Sequence, residues 1–361
     1  MHRRFINLVL KDFSVGGSYW LSRLAPEEKL FYSSATEAAA AQEKARRETL
    51  QVIRPSGSTL DLRPPEFRFR SSHSADPRLD FMPLYDPRWR GGEGKIVVAD
   101  SIGQTGLYDA DPGSMEMLPR LNAPKWHSPI SLCVADGALY AINGANSSNF
   151  KALAPPPQRP LWPRPRPHGK EEEAWCWLDL PPPPYLDAPS TLTRCSRTAR
   201  PFASPPPRAE KAASAPTAST RPATSGASAL PFIGRALHVP ELHNLFFGFL
   251  DSNPHTLCAA ELPSADQDGV AAPPRVLHKW RGLLSPPMPS WSLMSSSLLY
   301  LGARRFCVAK QFHICNGALA CILTGVEVEV VNAEENKSKL RLIKHKCRDY
   351  IFEGCGIESV F

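Results

Sequence analysis

Two short pairs in this sequence have the residue types of a metal site: His313-Ile314-Cys315 and His345-Lys346-Cys347. On a strand, side chains two apart share a face, so each pair presents two soft ligands together and the four would make a Cys2His2 set. Their spacing matches no established zinc pattern, and buried strand cysteines are common, so no metal is expected. Gly91-Gly92-Glu93-Gly94-Lys95 has the outline of a phosphate loop. Ile96 stands where Ser or Thr would hold magnesium, and a strand follows where a helix should begin, so that reading fails. There is no Gly-x-Ser-x-Gly elbow and no His-Glu-x-x-His helix. Asp109 and Asp111 flank a turn, where carboxylates cap backbone amides. Trp126, Trp175, Trp177 and Trp280 are expected to pack between elements. The reading carried forward therefore has no catalytic, cofactor-binding or metal-binding residue.

One motif suits a protein partner. Pro182-Pro183-Pro184-Tyr185 fits the proline-proline-any-tyrosine pattern that WW domains dock as a polyproline II helix, whose stiff backbone loses little entropy on binding. The competing reading is a rigid approach to a strand with the tyrosine buried.

The composition bounds the rest. A chain of 361 residues with 42% hydrophobic content can bury a large core. The 42 basic against 35 acidic residues give a net charge of +7. That charge is spread along the chain, which argues against a nucleic-acid partner. The nine cysteines are scattered and odd in number, which fits reduced thiols inside a cell. No apolar run approaches the ~20 residues that span a bilayer, so no membrane partner is expected. Lys11 and Asp12 cut off the apolar run Phe5 to Leu10, so export is not expected, while the early arginines leave a mitochondrial presequence open.

The elements read as β-structure in two arms, 1–153 and 230–361. Phe5 to Val9 and Ser18 to Leu24 flank the Gly16-Gly17 turn, and Leu30-Phe31-Tyr32 reads as a third strand. Ala35 to Leu50 favours helix, but its apolar positions are alanines, so it is expected as an exposed excursion. Lys95 to Leu118 is an antiparallel meander with turns at Asp100 to Gly103 and Asp111-Pro112-Gly113. Ser131 to Ala135 and Ala138 to Ile142 form a hairpin across Asp136-Gly137. The pattern resumes at Ala236 to Val239, Asn244 to Phe249 and Thr256 to Leu262, and continues in Leu298 to Leu301, Phe306 to Ala309 and Ala318 to Thr324. Val326 to Val331 and Leu340 to Lys344 flank a polar turn, and Ile357 to Phe361 is a last candidate strand. Such meanders, repeated at tens of residues, are the blades of a β-propeller.

Arg3-Arg4-Phe5-Ile6-Asn7-Leu8-Val9, Leu107-Tyr108-Asp109-Ala110-Asp111, Pro124-Lys125-Trp126, Leu180 through Tyr185, His238-Val239-Pro240-Glu241-Leu242, Leu323-Thr324-Gly325-Val326-Glu327-Val328 and Ile357 through Phe361 keep their order along most of the chain. Together they resemble an uncharacterised grass-plant family known only as a domain of unknown function. The resemblance implies an irregular kelch-like propeller of the kind found behind F-boxes, and no activity or catalytic residue. No F-box segment is present.

The departure is Ala154 to Ala229, which holds 18 of the 38 prolines and is expected to be largely disordered, replacing part of a blade. Relatives that resemble the chain carry there a Gly-Thr-Tyr-Cys-Phe-Asp-Thr strand and a nearby tryptophan. Shifting the codon frame of Ser196 to Ser228 is compatible with that missing pattern, and a shift in the opposite sense suits Ala154 to Pro167. These residues are therefore read as possible frame-shifted blade sequence, with the two arms as halves of one propeller. The expected function is a non-enzymatic interaction module that presents propeller loops to a protein partner. The alternatives are a propeller enzyme with a central-channel site, or a decaying gene product. Inward-facing acids or histidines at the channel mouth would favour the enzyme; a mixed or apolar face would favour binding.

Overall fold

In the computed structural model the structure describes residues 3–47, 65–73, 75–84, 94–121, 130–133, 138–142, 150–155, 175–180, 231–261, 274–281, 290–314, 317–331 and 339–361. Among them are five four-stranded antiparallel sheets arranged as a five-bladed β-propeller. The first blade contains β1 (Ile6–Asp12), β2 (Ser18–Leu24) and β3 (Phe67–Arg70), with β20 (Cys355–Val360) alongside β1. The second runs β4 (Leu79–Pro83), β5 (Lys95–Asp100), β6 (Thr105–Asp109) and β7 (Ser114–Leu118). The third is β8 (Ile130–Cys133), β9 (Leu139–Ile142), β10 (Phe150–Ala154) and β11 (Cys176–Leu180). The fourth is β12 (Phe232–Val239), β13 (Leu245–Leu250), β14 (Asn253–Glu261) and β15 (Arg275–Trp280). The fifth is β16 (Ser292–Gly302), β17 (Arg305–His313), β18 (Leu319–Val331) and β19 (Lys339–Phe352).

The ring closes where β20 pairs with β1, from Leu8 opposite Val360 to Asp12 opposite Cys355, with an irregularity at Val9 and Leu10. Blade 1 is thus built from both arms of the sequence, and the terminal strand expected at Ile357 to Phe361 is the closing one. Full closure removes a sheet edge that would otherwise stay unpaired.

Alternation along the strands explains the packing. On β13, Leu245, Phe247 and Phe249 face blade 5 and join Phe306, Val308, Val326 and Val328 in one cluster. A second cluster joins blades 1, 2 and 5 through Leu8, Leu10, Tyr19, Phe81, Leu299 and Phe352. A third joins blades 2 and 3 through Val97, Leu107, Leu139 and Leu153. Each such side chain contributes about 1.5–3 kcal/mol by leaving water, so these seams carry the fold. Among the described residues, no cluster joins blades 3 and 4. Phe232, Leu250, Cys258 and Ala260 form a cluster of their own on the blade 4 face turned from blade 5.

Two local readings need correction. Leu30-Phe31-Tyr32 is not a strand: Pro26–Leu30 is a short helix, α1, because Pro26 sits at its first turn with Glu27 and Glu28 behind it. The helix expected over Ala35 to Leu50 exists as α2 (Ala35–Arg47), yet it is no free excursion. Ala38 is fully buried, and the Gln42 side-chain amide donates to the Lys344 carbonyl on β19. Small alanines allow that close approach, so their lack of bulk makes the docking possible.

Pro182, Pro183, Pro184, Tyr185 and the reading of 196–228 as shifted sequence lie outside the described residues, as does Trp126.

Candidate functional site

Successive strands of a blade run in opposite directions, so the turns between second and third strands share one face with the connections between blades. That face carries residues 13–17, 71–73, 75–78, 101–104 and 353–354. Its loops in blades 1 and 2 are tied down by side chains. The Asp100 carboxylate accepts from the amides of Ile102 (3.1 Å) and Gln104 (2.8 Å) and from the Ser72 hydroxyl (2.9 Å). The Ser101 hydroxyl donates to the Asp76 carbonyl at 2.7 Å, and Arg120 donates twice to the Ile102 carbonyl at 3.1 and 2.9 Å. Asp12 caps the β1–β2 turn by accepting from the Ser14 amide at 2.9 Å, and these bonds from Ser14 hold its carboxyl below the usual range. The same turn holds Phe13 at 57% exposure and Val15 at 43%.

Beneath this layer, charged groups converge where blades 1 and 2 meet near the ring axis. Lys11 from β1 lies 4.0 Å from Glu358 of β20 and 5.5 Å from the centre of the Tyr19 ring. Arg78 pairs with Asp76 through two bonds of 2.8 Å, and Asp80 follows on β4. The Tyr19 hydroxyl accepts from the Leu79 amide at 3.4 Å, and its ring meets Phe81 at 5.3 Å. This apolar wall is why the carboxyls are perturbed. Burial pushes Asp80 up to about 7, with Glu358 and Asp76 adding to the rise and Arg78 opposing it. Glu358, whose side chain stays 40% exposed, is also raised by partial desolvation against the pull of Lys11 and Arg78. Near neutrality Asp80 is therefore divided between its acid and its carboxylate, able to donate or accept. The site mixes signs: three acids face two bases, and among the described residues no group of three or more metal-ligating side chains forms.

Sequence reasoning missed Asp80 and Glu358. The available signal was a carboxylate set inside an apolar stretch, Leu79-Asp80-Phe81-Met82, on a strand too irregular to announce itself.

The two pairs with metal-ligand character do not come together. Through the ladders of blade 5, His313 stands level with Phe352, about five residues, or roughly 17 Å, from Cys347. Cys315 lies outside the described residues. Cys347 lies 3.5 Å from the Thr324 hydroxyl, and both His345 ring nitrogens have protein partners: the Tyr32 amide at 3.3 Å and Glu327 at 3.1 Å. The tryptophans pack as expected where described: Trp175 between blades 2 and 3, and Trp280 stacked 6.1 Å from Phe247. Asp109 accepts from the Asp111 amide at 3.1 Å, a turn cap as expected. The Asp111 carboxylate, expected to cap an amide as well, instead takes bonds from Arg4 (3.0 Å) and Arg23 (3.4 Å). Lys95 opens strand β5, so a strand does follow the glycine-rich run.

Among the described residues, no helix is long and apolar enough to cross a membrane. No curated protein and no solved structure matches the chain. The profile of one family, described as Protein of unknown function (DUF1668), matches residues 3–203 and 216–351, which is most of the sequence. The chain, a five-bladed propeller closed by its two arms, belongs to that family.

Proposed function

We propose that this protein is a non-enzymatic interaction module that presents the loop face of blades 1 and 2 to a protein partner. The observation that carries the reading is preorganisation: Asp100, Ser101 and Arg120 lock the loops beside an exposed Phe13. Loops already fixed lose little entropy on binding, and an aromatic anchor beside mixed charge is the composition of a protein-recognition surface. The mixed signs around Asp80 also favour binding over a channel of like-charged catalytic acids. The kelch-like kinship and the plant source implied by the resemblance belong to this reading, as does an intracellular location.

The test is affinity capture with two baits in parallel, the unaltered chain and a Phe13→Ser, Val15→Ser variant of equal melting temperature. A protein held by the first and lost from the second supports the proposal. Identical captures by both baits refute the assignment of this face.

A further inference from the structure

The helical insert between β2 and β3 crosses from blade 1 to the outer half of blade 5. Propeller blades diverge away from the axis, so the closing seam widens there, and the insert fills the wedge. Leu30 is fully buried and Phe31 nearly so, and both belong to the cluster shared by blades 1, 2 and 5. Gly325 permits the approach, since a Cβ there would stand 2.2 Å from the Leu30 carbonyl oxygen. A register shift between Thr324 and Val326 places an irregularity in the β18–β19 ladder opposite His345, and bulges of this kind re-aim side chains.

His345 is the pin of this contact, and its side chain is 0% exposed. Its Nδ1 accepts the Tyr32 amide N–H at 3.3 Å, which requires that nitrogen to be unprotonated. The proton must then sit on Nε2, which donates to Glu327 at 3.1 Å. The Phe31 ring lies 4.9 Å away and the Tyr32 ring 6.2 Å away. The charged groups that act most strongly on the imidazole come from blade 5: Glu327 on β18, Arg305 on β17 and Lys346 on β19. Arg305 also binds Glu327 at 3.3 Å and covers the Phe31 ring, so the carboxylate is already partnered.

We propose that residues 26–47 are a pH-sensitive clasp on the closing seam, shut while His345 is neutral and released when its second ring nitrogen takes a proton. Protonation sets an N–H against the Tyr32 N–H, so the amide loses its acceptor and the ring must turn away. Burial holds the His345 imidazole below its usual value, and Arg305 and Lys346 act in the same direction against Glu327. A histidine lowered in the folded state stabilises the closed clasp above its unfolded value near 6.5, and that contribution is lost as pH falls through the folded value.

Hydrogen–deuterium exchange of the full chain at pH 7.5 and 5.5, corrected for intrinsic rates, tests this. Protection of residues 26–47 is expected to fall severalfold at the lower pH, with about tenfold the ceiling for one imidazole whose unfolded value is near 6.5, while blade 3 and blade 4 peptides keep theirs. The His345→Asn variant, whose side-chain oxygen can still accept the Tyr32 amide, is expected to lose this pH dependence. Glu327→Gln gives a second measure: without the carboxylate that favours the imidazolium in the closed clasp, acid release deepens, so protection at pH 5.5 falls further than in the wild type. The clasp is overturned if wild-type protection is unchanged at pH 5.5, or if release follows the same pH course in both variants as in the wild type.

Discussion

Asp80 shows how one residue's surroundings set a measurable property. Its carboxyl rises from 3.8 to about 7 because it sits against an apolar wall with two other acids nearby. A raised carboxyl stabilises the fold at low pH, and that contribution is lost as pH rises through the folded value. The full shift bounds the effect at about 4 kcal/mol, and water reaching this half-buried group reduces it to about 1–2 kcal/mol. Asp80→Asn is therefore expected to raise the melting temperature at pH 8 by about 1–3 °C and leave it unchanged at pH 4, measured by calorimetry. The cysteines follow the same logic with opposite exposure. Burial pushes Cys258 up to about 11 and Cys307 up to about 12, whereas Cys176 and Cys347 are exposed. A thiol reagent at pH 7.5 is expected to label Cys176 and Cys347 within minutes and spare Cys258, Cys307 and Cys321 until the chain unfolds. Of these residue-level features, the Asp109 cap was legible because turn chemistry is local. The acid pair was not, because only closure of the ring brings β20 beside β4.

At the scale of elements, the strands that sequence reveals are those flanked by strong turn signals. Val97, Leu107 and their neighbours lie between Asp and Gly turns, and Leu298 to Ala309 reads as a hairpin across Gly302-Ala303. β3, β4, β10, β11 and β15 escape such reading. Phe67-Arg68-Phe69-Arg70 is too short, and β15 alternates on an outer edge with few buried positions. The β16–β17 turn was located correctly but its conformation was not legible. Ala303 and Arg304 both have positive φ, 48° and 59°, the geometry of a type I′ hairpin that suits Asn-Gly. L-residues pay about 1 kcal/mol each in this region. The Ala303→Asn, Arg304→Gly double variant is expected to gain about 1–2 kcal/mol, read as a higher denaturant midpoint with an unchanged slope. A drop in midpoint would show that the Ala303 and Arg304 side chains contribute more than the relief of strain, since the backbone Arg304 amide that donates to the Tyr300 hydroxyl at 3.3 Å is kept in the variant.

At the scale of the whole molecule, the two arms hold each other. The cluster shared by blades 1, 2 and 5 and the β1–β20 ladder join residues before 154 to residues after 229. A protease site engineered after Ala213 is thus expected to give two fragments that co-elute in native chromatography and separate only in denaturant. Fragments that part without denaturant would mean that the closing seam is too weak to hold the ring. The chain between β11 and β12 is far longer than the connections at 71–78, 119–129, 281–291 and 353–354. It lies at the one junction where the described residues share no cluster, and composition alone could mark the place but not what it contains. The closing strand also sets a schedule. β1 is synthesised first among the strands, but its inner neighbour β20 follows roughly 340 residues later. At ~5–20 residues per second a ribosome needs on the order of half a minute to make that stretch. Throughout that interval blade 1 has an open inner edge, so the nascent chain needs either a chaperone over β1 or a delay in folding the first blade until translation has passed β20.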